Sequence, residues 1–252
     1  MTSDAARVGW FYRVLVGLAG FIARRVFGFR LVLEGAEHLP RTEDGSPAGG
    51  WIAAGLPHRR WVDPFLLVLL LPRSPRVVFF GDGRAIYRSP LRRVLFRILG
   101  GVVPIWPGGG VRAFARHVAA AREVLGAGAV FALFPEAGPP SDPGTARRLE
   151  LGIGYLALRT GAAVVPMAIG GNDELYRGRR LVLRVLPPLR AADVVTGELP
   201  GEGTPEERGA ARAFAQELQA RAAPAVAAVH ARVELTAIDQ PRRWRWLSDW
   251  IS

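Results

Sequence analysis

Residue types that commonly do covalent or metal chemistry are scarce in this chain: among 252 residues there is no cysteine, and the histidines are His38, His58, His117 and His230. No Gly-x-Ser-x-Gly elbow occurs, so a covalent acyl-enzyme is disfavoured. The histidines form no His-Glu-x-x-His pair or other compact ligand set, and no metal site is expected. His58 stands apart from the other three. It lies in "GLPHRRWVDPFLL", residues 55 to 67, after an apolar run and shortly before Asp63. On a regular helix residues five apart lie about 140° apart around the axis, so the two would not face each other unless the chain turns between them. Asp63-Pro64 reads as an N-cap followed by proline at the first helical position, which leaves His58 in the loop. From the helix mouth the carboxylate can meet the imidazole Nδ1–H, fix the tautomer and leave Nε2 to take a proton from a hydroxyl. The alternative is that Asp63 only caps the helix and His58 is a solvated loop residue; these two residues alone leave it open.

Two later segments bear on the choice. "AVFALFPEAGPPSD" ends an apolar strand in Phe134-Pro135-Glu136, so the Glu136 carboxylate emerges just past the strand's carboxyl end, where ligand sites of α/β folds lie. "TGAAVVPMAIGG" carries Pro166 inside another apolar strand, a position proline takes at an edge or a bulge. Each segment can also be read as loop punctuation.

These residues need a scaffold, and the pattern supplies one. "FRLVLEG", "WIAAGL", "RVVFFGD", "VVPIW", "AVFALF", "AVVPMAIGG" and "RLVLRVLPPL" read as strands. Between them "DPFLLVLLLP", "SPLRRVLFRILGG", "VRAFARHVAAAREVLGAG" and "ARRLELGIGYLALRTG" read as helices. Alternation at these lengths predicts an α/β fold with a mostly parallel central sheet flanked by helices. Within the polar, acidic stretch of residues 193 to 209, Thr204 as N-cap, Pro205 at the first helical position and Glu206 and Glu207 in the first turn open a long Ala-rich helix, which Pro224 is expected to kink or divide.

Charge and hydropathy point to a surface partner. All 33 basic residues are arginine, and the formal net charge is +11. Such a chain is drawn to anionic surfaces. No zinc-finger spacing, aromatic RNA-binding signature or basic heptad helix is present, so nucleic acid is not an expected partner. The amino end, "ARVGWFYRVLVGLAGFIARRVFGFR", has an apolar stretch from Val14 to Ala23 that is too short to span a bilayer and lacks a cleavage site for a signal peptide. Trp10, Phe11 and Tyr12 at one end and Arg24, Arg25 and Arg30 at the other fit an amphipathic helix lying in or dipping into one leaflet; packing on the domain's own core is the other reading. The tail "QPRRWRWLSDWI", with Trp244, Trp246 and Trp250 among Arg242, Arg243 and Arg245, fits a second interfacial contact or an aromatic clasp on the domain. The expected organisation is a membrane-associating helix over residues 1–29, one domain over 30–235 and a Trp/Arg-rich tail over 236–252.

In order, "PHRRWVDP", "FPEAG" and "VVPMAI" resemble the blocks of the glycerolipid acyltransferase family, whose bacterial members include 1-acylglycerol-3-phosphate acyltransferases. The resemblance covers roughly residues 30 to 190 and three ordered motifs. It implies one-step transfer of a fatty acyl group, from a thioester on coenzyme A or acyl carrier protein, to a hydroxyl of a lysophosphatidate-like lipid, with no cofactor beyond the thioester co-substrate. His58 would be the general base and Asp63 its partner, and Glu136 would bind or orient the acceptor. Pro135 and Pro166 would be structural motif residues. The resemblance also implies action at the cytoplasmic membrane, peripheral or monotopic, on its cytoplasmic face, with an acidic acyl carrier protein or anionic bilayer as partner. The chain departs from the family pattern at three places. Pro57 stands where the family has asparagine, Trp106 and Pro107 where it has an arginine, and Ala137, Gly138, Pro139 and Pro140 where the Glu block continues Gly-Thr-Arg-Ser. Arg112, Arg147 and Arg148 are the candidate replacements for the missing acceptor-binding arginines. Alternative readings are a non-phosphate acceptor such as a glycolipid, an inactive membrane lipid-binding protein, and a lipid hydrolase using His58 to activate water.

Overall fold

A computed structural model of the chain describes residues 2–84, 90–98, 101–105, 110–138, 142–237 and 244. Trp106, Pro107, Pro139, Pro140 and the tail residues Arg242, Arg243, Arg245, Trp246 and Trp250 lie outside the described residues.

Among the described residues, seven strands form one sheet: β1 (Arg30–Glu34), β2 (Ile52–Leu56), β3 (Val77–Asp82), β4 (Val102–Ile105), β5 (Val130–Leu133), β6 (Val164–Gly170) and β7 (Arg180–Val185). Their order is β1-β7-β6-β2-β5-β3-β4, with β2 at the centre. Every neighbouring pair is parallel except β6 with β7. The expected α/β class with a mostly parallel sheet is the one observed. The central strands are buried along their length, as strands covered on both faces must be.

Side chains alternate between the two faces of β2 and so enter two cores. Ile52, Ala54 and Leu56 join Val118, Ile153, Leu156, Phe214, Leu218 and Val226 on one side. Those residues come from the helices α4 (Gly110–Gly126), α5 (Leu151–Thr160) and α6 (Pro205–Leu235). Ala53 joins Tyr12, Val16, Leu67, Val68 and Phe96 on the other side. There the cover is α1 (Thr2–Arg25), α2 (Asp63–Leu70) and α3 (Pro90–Ile98). The result is a three-layer α/β/α molecule. α5 and α6 touch closely at Gly154, where an added Cβ would lie 2.1 Å from the Ala211 carbonyl oxygen.

Two local expectations need correction, and a third is met. The helix predicted to begin at Ala146 begins at Leu151, because residues 147–150 use their backbone groups elsewhere. Ala137 N–H donates to the Arg148 carbonyl at 3.1 Å and Glu150 N–H to the Pro135 carbonyl at 2.7 Å, so this segment pairs with the end of β5. Pro224 does not divide α6, which continues on both sides of it; the missing N–H removes one helical hydrogen bond, and Ala222, Ala225 and Val226, buried around it, hold the helix to the core. Pro166 sits within β6 between two neighbours. Its carbonyl accepts the Leu186 N–H at 3.0 Å and its nitrogen faces the same side, where Val164 pairs with Leu189 and Met167 with Val185, so residues 165–166 oppose residues 186–188 in the bulge expected of a strand proline. No ladder donor is lost there.

α1 packs one edge on the domain through Tyr12, Val16 and Ala23 and leaves Trp10, Phe11, Val14, Leu18 and Phe21 exposed. The Tyr12 hydroxyl oxygen accepts the Val77 N–H at 3.4 Å, and burial pushes its phenol above the ordinary value. Among the described residues no helix is long and apolar enough to cross a membrane. From the tail, Trp244 lies with its ring 5.1 Å from the Arg177 guanidinium, a contact with the domain itself.

Candidate active site

β2 lies between β5 and β6 and runs parallel to both, so the three carboxyl ends open at one edge of the sheet. From β2 comes His58, from β5 Phe134 and Glu136, and from β6 the Gly171-Asn172-Asp173 turn. This edge is where parallel α/β sheets present ligand-binding loops.

The loop between β2 and α2 answers the question left open by the sequence. Asp63 does not cap the helix: Val62 occupies the N-cap position and no side chain caps there. The Asp63 carboxylate instead turns back into the loop. Its Oδ2 accepts the Arg59 N–H at 2.6 Å and the Arg60 N–H at 2.7 Å, and lies 3.0 Å from His58 Nδ1. Two backbone donors on one oxygen stabilise the ionised carboxylate and fix the loop's curvature around it. With Asp63 as acceptor, Nδ1 carries the proton and the Nε2 lone pair is left free to accept one. The Asp63 side chain is fully buried while that of His58 is 43% exposed, so the carboxylate is desolvated and the imidazole remains reachable.

Phe134 forms the floor under the imidazole, stacked at 4.4 Å between ring centroids. Gly55 makes room for it: a Cβ there would come within 2.7 Å of the Phe134 ring. Glu136 ties β5 to the same loop. Its Oε2 accepts the His58 N–H at 2.5 Å and its Oε1 the Arg147 N–H at 2.8 Å, so both oxygens meet backbone donors. Pro135 is buried and accepts Glu150 N–H, holding this strand end. The Arg147 guanidinium donates to the Ala137 carbonyl at 2.6 Å beside Gly138, at the rim of the site. Arg148 is exposed on the same segment, and Arg112 is exposed in the first turn of α4.

Asn172 escaped the sequence reading. It is buried, and its Nδ2 donates to Asp63 Oδ1 at 3.0 Å. The one sign in the sequence is that it is the chain's single asparagine, set directly after a glycine pair. Next to it, Asp173 pairs with Arg59 at 2.5 Å and with His230 of α6 at 3.2 Å, and its carbonyl accepts from Arg60 at 2.9 Å. The ligand-capable atoms of Asp173, His230 and Glu234 lie within 4.8 Å of one another, but Arg59 and Arg179 already bring positive charge to the two carboxylates.

Beside the imidazole opens a cavity of about 280 Å³ walled by His58, Trp61, Phe79, Phe80, Phe96 and Phe134. Its aromatic wall suits an apolar chain with its reacting end at His58.

A family model described as Acyltransferase matches residues 30–170 of this geometry's chain. The chain belongs to the acyltransferase family. The match takes in β1 to β6 and the loops carrying His58, Asp63 and Glu136. No curated protein matches by sequence. Among solved structures, the crystal structure of the 1-acyl-sn-glycerophosphate (LPA) acyltransferase PlsC from Thermotoga maritima is similar. It is 21% identical over 88% of this chain and 79% of that chain, with a TM-score of 0.53. The acyltransferase fold is therefore common to the two chains.

Proposed function

We propose that this acyltransferase moves a fatty acyl group from a thioester of coenzyme A or acyl carrier protein to a hydroxyl of a lysophosphatidate-like acceptor, in phospholipid synthesis at the cytoplasmic face of a membrane. The observation that carries the reading is the His58–Asp63 pair at the wall of an apolar cavity. His58 Nε2 takes the acceptor's hydroxyl proton as that oxygen bonds to the thioester carbonyl carbon. Asp63 accepts the Nδ1–H and supports the imidazolium that forms. The tetrahedral oxyanion then collapses, the C–S bond breaks, and the imidazolium returns its proton to the leaving thiolate. No covalent enzyme intermediate is needed, in keeping with the absence of cysteine and of a serine elbow.

The guanidinium of Arg147 at the site's rim supports an anionic head group on the acceptor. Glu136, engaged by two backbone N–H groups, acts in this reading by holding the loop. The apolar outer stripe of α1 and the arginines Arg13, Arg24 and Arg25 beside it support a peripheral bilayer contact.

A panel of acceptors tests the proposal. Purified protein receives labelled acyl-coenzyme A or acyl carrier protein with lysophosphatidate, a monoacyl glycolipid or monoacylglycerol. Diacyl product from lysophosphatidate is expected. Product from the uncharged acceptors alone replaces the head group, lipid binding without product replaces catalysis, and fatty-acid release without a donor replaces transfer by hydrolysis.

A further inference from the structure

We propose that Asn172 is a positioning residue for the catalytic pair: its side-chain amide fixes the Asp63 carboxylate, and through it the His58 imidazole. The proposal rests on the reading of His58 as the base.

The two oxygens of Asp63 are served differently. Oδ2 has two loop N–H donors and the imidazole, whereas Oδ1, among the described residues, is met by Asn172 Nδ2 at 3.0 Å. In a carboxylate with no solvent exposure, an oxygen without a donor would be left unsatisfied or would turn the group away to find one. Either change weakens the acceptor that keeps the proton on His58 Nδ1. The same Nδ2 lies 3.4 Å from the Pro57 carbonyl oxygen, so the amide touches both ends of the loop that carries His58.

The amide's orientation follows from chemistry. Its own Oδ1 is buried and, among the described residues, meets no hydrogen-bond partner. Turning the amide over would place that acceptor against the Asp63 carboxylate, so the observed orientation serves Asp63 and leaves an Asn172 acceptor unpaired. A residue kept only for packing would not favour that arrangement over an apolar side chain of similar size. The backbone is equally committed. Gly171 has φ +89°, and a Cβ there would lie 2.2 Å from the Arg180 carbonyl oxygen, so the turn that aims Asn172 at β2 depends on glycine. Asp173 then grips Arg59 and Arg60, so the two residues of this turn hold the loop between Pro57 and Asp63 at four points.

Because Asn172 is the single asparagine, labelling asparagine with ¹⁵N yields one side-chain NH₂ pair. In wild type one of its protons should resonate at low field and exchange slowly, and D63A should abolish both properties. Histidine labelling, with His58 assigned through H58Q, should show the Nδ1–H tautomer in wild type and a tautomer mixture in N172A and N172L, the latter keeping the side chain's approximate volume. In acyl transfer both variants should lose kcat by about 10- to 100-fold with the acceptor KM nearly unchanged. Two exchange-averaged NH₂ protons in wild type would overturn the proposal even if neither variant folds. Folded variants with lower Tm but an unchanged His58 tautomer would reduce Asn172 to a brace and overturn it too. Wild type lacking acyl transfer altogether sinks the acyl-transfer reading instead, and the resonance comparison still decides the role of Asn172.

Discussion

At the scale of residues, Glu136 separates two kinds of role. A carboxylate that touches the acceptor should set its affinity, whereas one that holds the His58 and Arg147 backbone should set the geometry of the base. The observed bonds predict that E136A lowers kcat about 10- to 100-fold and leaves the acceptor KM nearly unchanged, as removal of a charged acceptor from paired N–H groups would. Steady-state kinetics with varied acceptor checks this, and a rise in KM alone would return Glu136 to the acceptor. His58 and Asp63 were legible in sequence because their relation is local: a helix start signal forces the turn that brings them together. Asn172 was not, because it reaches Asp63 only through the pairing of β2 with β6, and register between distant strands leaves no mark at either position. The amide that the family pattern places at residue 57 is absent here, and Asn172 brings one to within 3.4 Å of the Pro57 carbonyl from another strand.

At the scale of elements, helix starts divided by how local their cause is. Thr204 caps α6 as predicted, with its Oγ accepting the Glu207 N–H at 3.1 Å. α5 starts late because its expected first turn pairs with β5, a tertiary demand that overrides helix propensity. The α5–α6 contact is closed by an ion pair, Arg159 to Glu207 at 2.7 and 2.9 Å. The Arg159 hydrogen bond holds the Glu207 carboxyl below the ordinary carboxylate range. A depressed value means that the pair's stabilisation is present above that ordinary range and is lost as pH falls through the lowered value. E207A should therefore cost about 3 kcal/mol near neutral pH, and its deficit against wild type should shrink below about pH 4. Denaturant midpoints measured across pH check both parts. α1 carries the other element-scale prediction. Trp10, Leu18 and Phe21 are exposed by 62%, 54% and 59%, so replacing all three with serine should leave Tm unchanged. At about 1.5 kcal/mol or more of apolar transfer each, vesicle affinity should fall at least about 100-fold. Sedimentation with vesicles reads this, and unchanged binding would remove α1 as the proposed bilayer contact.

At the scale of the whole molecule, the layers were legible because parallel strands buried on both faces must read as unbroken apolar runs between amphipathic helices. Which strands are neighbours was not, and that order is what assembles the site: β2 between β5 and β6 gathers His58, Glu136 and Asn172 at one edge. The net charge of +11 is a property of the whole surface, and it predicts that binding to anionic vesicles weakens as salt shortens the reach of the arginines. A salt-independent affinity would leave the apolar face of α1 as the whole of the attraction. The central claim, however, is that one buried carboxylate and one accessible imidazole perform direct transfer from a thioester to a lipid hydroxyl. The most direct test is the single-turnover rate of acyl transfer by wild type, H58A and D63N, each shown to be folded. Wild type should form ester without an acyl-enzyme, and H58A and D63N should each be slower by about 10²- to 10⁴-fold. Transfer at the wild-type rate by H58A, or acyl group trapped covalently on the protein, would contradict it.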